Sequence, residues 1–318
     1  MGKKNYLSYL IAALALFSLM IIVDLDDFKA LANVSFSSFL ISILLAILNY
    51  FVSGVLYYLI RKKFGVSLRL IDMFFLPIVG NLWSFIFPFQ GNLLFTTFFF
   101  KKKYKMKVSE SFSISIYLYL ITLSFTGIFA FIFALHNNML YSWLSIIALI
   151  FILNPLFVIL AYYILKLIGD TNIKFIDKAK LFLESVVENT RSLWVDFRFT
   201  SLIIAINIFK LGLTVLWFYW ISLSLGFDLS IISVGLISLI MSVLIVIKVT
   251  PDNLGVAQLL TASIMGMVGS SPEKAALITL FASATSIALI STIGVFGNYY
   301  YFKSINLTEM IKKHKSNS

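Results

Sequence analysis

The sequence predicts an all-α polytopic membrane protein with six full spans and two re-entrant hairpins in an inverted-topology repeat, N- and C-termini cytoplasmic. Three observations carry that prediction. The 318-residue chain is 60% hydrophobic and 12% charged, with a mean hydropathy of +0.99; no soluble domain has this composition. Its apolar runs are long and continuous, where a β-barrel would show short alternating strands. Two of those runs are interrupted by Pro, Gly and Asn.

The elements follow in order. Segment one, residues 6–23, lies between Lys3 and Lys4 and an acidic loop of Asp24, Asp26 and Asp27. No small-residue cleavage site follows it, so it reads as a retained helix and not a signal peptide. Segment two, residues 35–60, ends at Arg61, Lys62 and Lys63. The first broken stretch, residues 71–100, holds Pro77, Gly80 and Asn81, then Pro88, Gln90, Gly91 and Asn92. Lys101, Lys102, Lys103, Lys105 and Lys107 close it. Segments three and four are residues 111–135 and 140–167. In the linker, residues 169–198, Phe175, Phe182, Val186 and Trp194 recur at helical spacing opposite Lys178, Glu184 and Arg191. It reads as an amphipathic helix on the cytoplasmic membrane surface that joins two halves. Segment five is residues 199–225, the second broken stretch 229–268 and segment six 275–302. The second break is at Lys248, Pro251, Asp252, Asn253 and Gly255.

Basic clusters mark the cytoplasmic side. One assignment places Lys3, the cluster at 61–69, the cluster at 101–107, the linker and the tail all on that side. The first broken stretch then starts and ends in the cytoplasm. Its ~30 residues are too few for two spans of ~20 each, so a re-entrant hairpin fits. The second broken stretch starts and ends outside. Residues 35–135 and 199–302 become two repeats of opposite orientation within one transmembrane domain. Many transporters use that plan to expose one site alternately to each face.

Backbone that leaves the helix in hydrocarbon must be received by protein or by a water-filled cavity, so the two breaks are the candidate binding site. Asn81, Gln90 and Asn92 of the first break either satisfy freed backbone or bind a phosphate or sugar. Lys210 lies mid-segment, where an ionisable residue is a functional candidate; pairing with a carbonyl or with Asp252 is the bland alternative. Lys248 and Asp252 read either as an anion site or as a local ion pair capping an interrupted helix. Two buried lysines against one carboxylate favour a phosphate over a cation, nearer the second break.

Other chemistry is excluded or unsupported. The chain has no cysteine, and its two histidines, His136 and His314, have no ligand partners nearby; no metal or cofactor is expected. No nucleotide-binding, metalloprotease or nucleophile-elbow motif occurs, so no enzyme is expected. The net charge of +11 flanks apolar segments, which argues for anionic lipid and against nucleic acid.

Residues 76–81, then Pro88 to Gly91 and a basic cluster, resemble the first conserved region of the lysylphosphatidylglycerol synthase transmembrane-domain family. This is the flippase-like part of the multiple peptide resistance factor, which also occurs as stand-alone membrane proteins. Thr250 to Gln258, followed by Gly266 to Ala276, resembles the second region. Gln258 stands where the family usually has Glu, and Asp252-Asn253 replaces a small or glycine-rich pair. The resemblance implies a lipid flippase fold with two re-entrant hairpins. Because the chain stops at Ser318 without a synthetase domain, aminoacyl transfer is not expected of it.

The function expected is movement of an anionic phospholipid or polyprenyl-linked sugar between leaflets of the cytoplasmic membrane, with Lys210, Lys248, Asp252, Asn253, Gln258, Asn81, Gln90 and Asn92 at the head group. The alternative is a non-transporting subunit that presents lipid to a separate glycosyltransferase or synthetase.

Overall fold

The computed structural model describes residues 25–87, 91–136, 143–167, 174–246, 248 and 250–305. Segment one, the basic tail, Pro88 and Gln90 lie outside the described residues. Every regular element among the described residues is helical. In hydrocarbon only helices and closed barrels satisfy their own backbone.

A short helix, α1 (Leu25–Ala32), leads into α2 (Phe36–Lys62). Ser35 caps α2 by accepting the Ser38 N–H at 3.2 Å. Next come the paired helices α3 (Leu70–Ile86) and α4 (Gly91–Tyr104), then α5 (Val108–His136). Segment four was expected as one span. It is two helices, α6 (Trp143–Ile152) and α7 (Asn154–Leu167). The reason is Pro155, which has no N–H to continue a helix and instead starts a new one. The linker helix α8 (Lys174–Val195) packs on α5 and α7. Then follow α9 (Phe197–Ser224), the second helix pair α10 (Ile231–Val246) and α11 (Val256–Met267), and α12 (Pro272–Leu289). A π-helical turn, Ile290–Gly294, joins α12 to α13 (Val295–Ile305).

Among the described residues, four stretches are long and apolar enough to cross a membrane: α2, α5, α9 and the α12–α13 run. Leu40, Leu44 and Leu48 on α2, and Leu149, Leu156 and Leu160 on α6 and α7, are exposed. An apolar surface of this extent belongs in lipid. The chain is a multi-pass membrane protein.

The paired helices are shorter. Those of the first pair have 17 and 14 residues, those of the second 16 and 12. Each falls below the ~20 residues of a full crossing. The first break is confined to the second part of the stretch that the sequence marked. Pro77 and Gly80 lie inside α3, which runs through both, and the chain reverses between Phe87 and Gly91. Pro77 leaves the Met73 carbonyl without its helical partner. Gly54 of α2 packs against that carbonyl so closely that a Cβ there would sit 1.7 Å from the oxygen. A helix can tolerate proline when a neighbouring helix closes over the freed group.

The helices form two cores. One is built mainly from α2 to α5 around Leu56, Ile60, Phe95, Phe99 and Tyr117, joined by Leu193 of α8, Ile203 of α9 and Tyr301 of α13. The other is built from α9 to α12 around Phe218, Ile237, Ala276 and Phe281. The contacts between them are reciprocal: α2 packs on α9, α3 packs on the π turn and α13, and α10 packs on α5.

Candidate functional site

A cavity of about 240 Å³ lies between the two cores. Polar side chains reach it from α2, α3, α4, α5, α9, the α10–α11 break and α12. The long helices α2 and α9 carry four each: Asn49, Tyr50, Ser53 and Tyr57, and Asn207, Lys210, Thr214 and Trp217.

The first helix pair is closed mostly through glycine. A Cβ at Gly91 would lie 2.1 Å from the Trp83 carbonyl, and one at Gly80 would lie 2.2 Å from Asn92 Oδ1. Ser84 Oγ accepts the Asn92 backbone N–H at 2.9 Å. The Asn92 amide donates to the Tyr57 hydroxyl at 3.3 Å. Asn81 donates to the Tyr50 hydroxyl at 3.2 Å and accepts from Lys248 Nζ at 3.0 Å. That last bond joins the two helix pairs, and α3 also touches the Pro251–Asn253 turn.

The second break satisfies its backbone through side chains. Asp252 and Asn253 take left-handed φ values of 48° and 57°, and Gly255 takes 82°. Thr250 Oγ1 donates to the Leu254 carbonyl at 2.9 Å. Asn253 donates its amide to the Leu244 carbonyl. Gln258 accepts the Gly255 N–H at 2.7 Å and donates to Ser283 Oγ at 3.0 Å. Gln258 was expected at the head group, but it is fully buried, outside the cavity lining, and committed to this cap. Its amide both accepts and donates there. Asn253 lines the cavity while holding the α10 carbonyl.

Three charged residues face the cavity, and they differ. Lys248 is 3.7 Å from Asp252 and bonded to Asn81. The Lys210 ammonium, on α9, has no hydrogen bond or ion pair among the described residues. Asp252 is therefore the partner of Lys248 and not of Lys210. Two lysines against one carboxylate leave the cavity with a net positive charge, concentrated at Lys210. Tyr50, Asn49 and Trp217 lie on the same lining. Asn49 donates to Thr214 Oγ1 at 2.7 Å and Trp217 Nε1 to Ser42 Oγ at 2.8 Å.

Two buried ionisable residues escaped the sequence reading. Asp72, fully buried, bonds Arg69 Nε and Lys103 Nζ, each at 3.3 Å, and the Tyr104 hydroxyl at 3.3 Å. The signal was present: an Asp inside an apolar run, three residues after Arg69 and beside a lysine cluster. Arg61, read as a solvated flanking charge, is also fully buried. Nothing in the run Arg61, Lys62, Lys63 distinguishes it from its neighbours.

The family model for the lysylphosphatidylglycerol synthase TM region matches residues 5–294. The chain belongs to that family. Its sequence signature therefore spans both cores and the cavity between them. No curated protein and no solved structure matches the chain. Membership ties the chain to a membrane, lipid-related role.

Proposed function

We propose that the chain moves a phosphate-bearing lipid, an anionic phospholipid or a lipid-linked sugar, between the leaflets of the cytoplasmic membrane. The head group passes through the cavity while the acyl or prenyl chains stay in the bilayer. The observation that carries this reading is Lys210: a cation without a partner among the described residues, on a polar cavity wall, in a chain of a lipid-related membrane family. A half-buried ammonium at membrane depth without a counter-ion is costly and calls for an anion. Lys248, tied to Asp252 and Asn81, shapes the cavity and joins the two helix pairs.

We read the two helix pairs as re-entrant hairpins of an inverted repeat, with both termini cytoplasmic. Their short helices and the reciprocal packing of the two cores support that reading. Alternating access would then be a rocking of one core on the other around the fixed cavity. The role is transport and not catalysis.

Reconstituted full-length chain should scramble a fluorescent phosphatidylglycerol between leaflets, read by dithionite quenching. Lys210→Met should slow it at least ten-fold. Full scrambling by Lys210→Met would remove Lys210 from the site. No scrambling by the pure chain, together with co-purification of a soluble glycosyltransferase or synthetase, would favour lipid presentation to that enzyme.

A further inference from the structure

Arg61 lies in the last turn of α2, one helical turn beyond Tyr57. It is fully buried, and its Nε, Nη1 and Nη2 have no hydrogen-bond partner among the described residues. Two rings enclose the guanidinium: Phe100 of α4, with its centroid 3.7 Å from Cζ, and Tyr57, at 4.7 Å. Cation–π contact recovers only part of what burying an unpaired ion costs. The buried carboxylate of α3 does not serve. Asp72 is committed to Arg69, Lys103 and Tyr104, and Phe100 stacks on Tyr104 on its way there.

The surroundings give the missing anion a route. Tyr57 is part of the cavity wall, so Arg61 stands directly behind the cavity. Lys62, Lys63, Lys101 and Lys102 are exposed beside it, on the ends of the same two helices. A guanidinium offers five N–H donors in a planar fork that matches the oxygens of a phosphate. The depth fits as well, because the last turn of a long apolar span lies at the head-group level of a bilayer.

We propose that Arg61 is a second phosphate site, closed in this conformation by Tyr57 and Phe100, at the lysine-rich end of the cavity. It receives the phosphate ester of a lipid head group when α4 shifts against α2 and the Phe100 ring leaves the guanidinium. The lipid source of that phosphate rests on the transport reading; the need for an anion at Arg61 does not. Lys210 and Arg61 would then hold the same phosphate in turn, at two depths of one path.

The test uses purified full-length chain in neutral detergent. Dioleoylphosphatidylglycerol is titrated in mixed micelles, with dioleoylglycerol as the phosphate-free control. Sodium phosphate against sodium chloride is the soluble probe. Apparent affinity is read from the dose dependence of the unfolding temperature. Arg61→Met should weaken phosphatidylglycerol binding at least ten-fold, yet unfold without lipid at or above the wild-type temperature, because it removes an unpaired buried charge. A packing role predicts the reverse, a lower unfolding temperature with unchanged affinity, and that result overturns the site. If Arg61→Met does not fold, Arg61→Lys decides: it keeps the charge and loses the fork, so several-fold weaker binding supports the site and unchanged affinity overturns it. Absence of any phosphatidylglycerol effect on the wild type overturns it too. A response to sodium phosphate alone would keep a phosphate site and overturn its lipid source. Lys210→Met separates the two proposals. Loss of binding in Lys210→Met with wild-type binding in Arg61→Met leaves only the cavity reading, and the opposite pair leaves only the Arg61 site.

Discussion

The α3–α4 and α10–α11 pairs face one physical problem and meet it with different chemistry. Both reverse the chain where unpaired backbone is expensive. The first pair removes side chains: Gly91 lets α4 rest on the Trp83 carbonyl, and Gly54 lets α2 cover the carbonyl that Pro77 frees. The second pair adds them: Thr250, Asn253 and Gln258 each hold a backbone group around three left-handed residues. Only the second carries charge into the cavity, and it pairs that charge internally. The comparison teaches that a break in a membrane helix is not itself a binding site. Much of its polar chemistry is consumed by its own backbone.

The two cavity lysines break the comparison open most sharply. Lys248→Met should strip Asp252 of its partner and destabilise the protein by about 3 kcal/mol, the cost of orphaning one member of a buried pair. Lys210→Met removes a cation without a protein partner, so its unfolding temperature should equal or exceed that of the wild type. Thermal unfolding of both variants in detergent checks this. Equal losses would mean that Lys210 has a structural partner after all.

Next come the tips. Gly91→Ala forces a Cβ into a backbone carbonyl that cannot move alone, with an expected loss of about 3 kcal/mol. Gly255→Ala must hold a φ of 82°, for about 1–2 kcal/mol. Gln258→Leu leaves the Gly255 N–H and Ser283 without their partner and should cost about 1–3 kcal/mol. Denaturation series in one detergent rank the three. If Gly255→Ala exceeded Gly91→Ala, the contrast between a contact-limited tip and a conformation-limited tip would fail.

Much of this was legible in the sequence, and the misses have specific causes. Hydropathy and the Pro/Gly/Asn clusters located both helix pairs and the residues between them. Proline alone did not place the first reversal. Whether Pro77 breaks a helix depends on Gly54, 23 positions earlier and on another helix. Pro155 was the mirror case, a proline read through in a run that in fact divides. Lys210, Lys248, Asp252, Asn81 and Asn92 do meet around one cavity. Gln258 was assigned to that cavity through the family resemblance, but its amide is turned to its own helix start. Arg61 looked like its neighbours Lys62 and Lys63 because burial is a property of rotation about the helix. One position of a basic run faces the core, and α2 is too uniformly apolar for periodicity to show which.

The smallest expected effect concerns the helices that precede the two pairs, α2 and α9, at their exposed junction. Lys63 Nζ pairs with Asp196, and Asp196 also caps α9 by accepting the Phe199 N–H at 3.0 Å. Lys63 first, and the Phe199 N–H second, hold the Asp196 carboxyl below its ordinary value of 3.8. A depressed folded value means the native state prefers the ionised form. The tie therefore contributes fully above pH 3.8 and fades as the pH falls below it. Asp196→Asn keeps a good cap and removes only the charge. Its unfolding temperature should lie slightly below that of the wild type near neutral pH, with the gap closing as the pH falls through 3.8. Because both groups are solvated, salt should narrow the gap as well. A gap that persists in acid would assign the effect to the cap and not to the pair. The junction would then join α2 to α9 through hydrogen bonding alone, as the Asn49–Thr214 contact between them does.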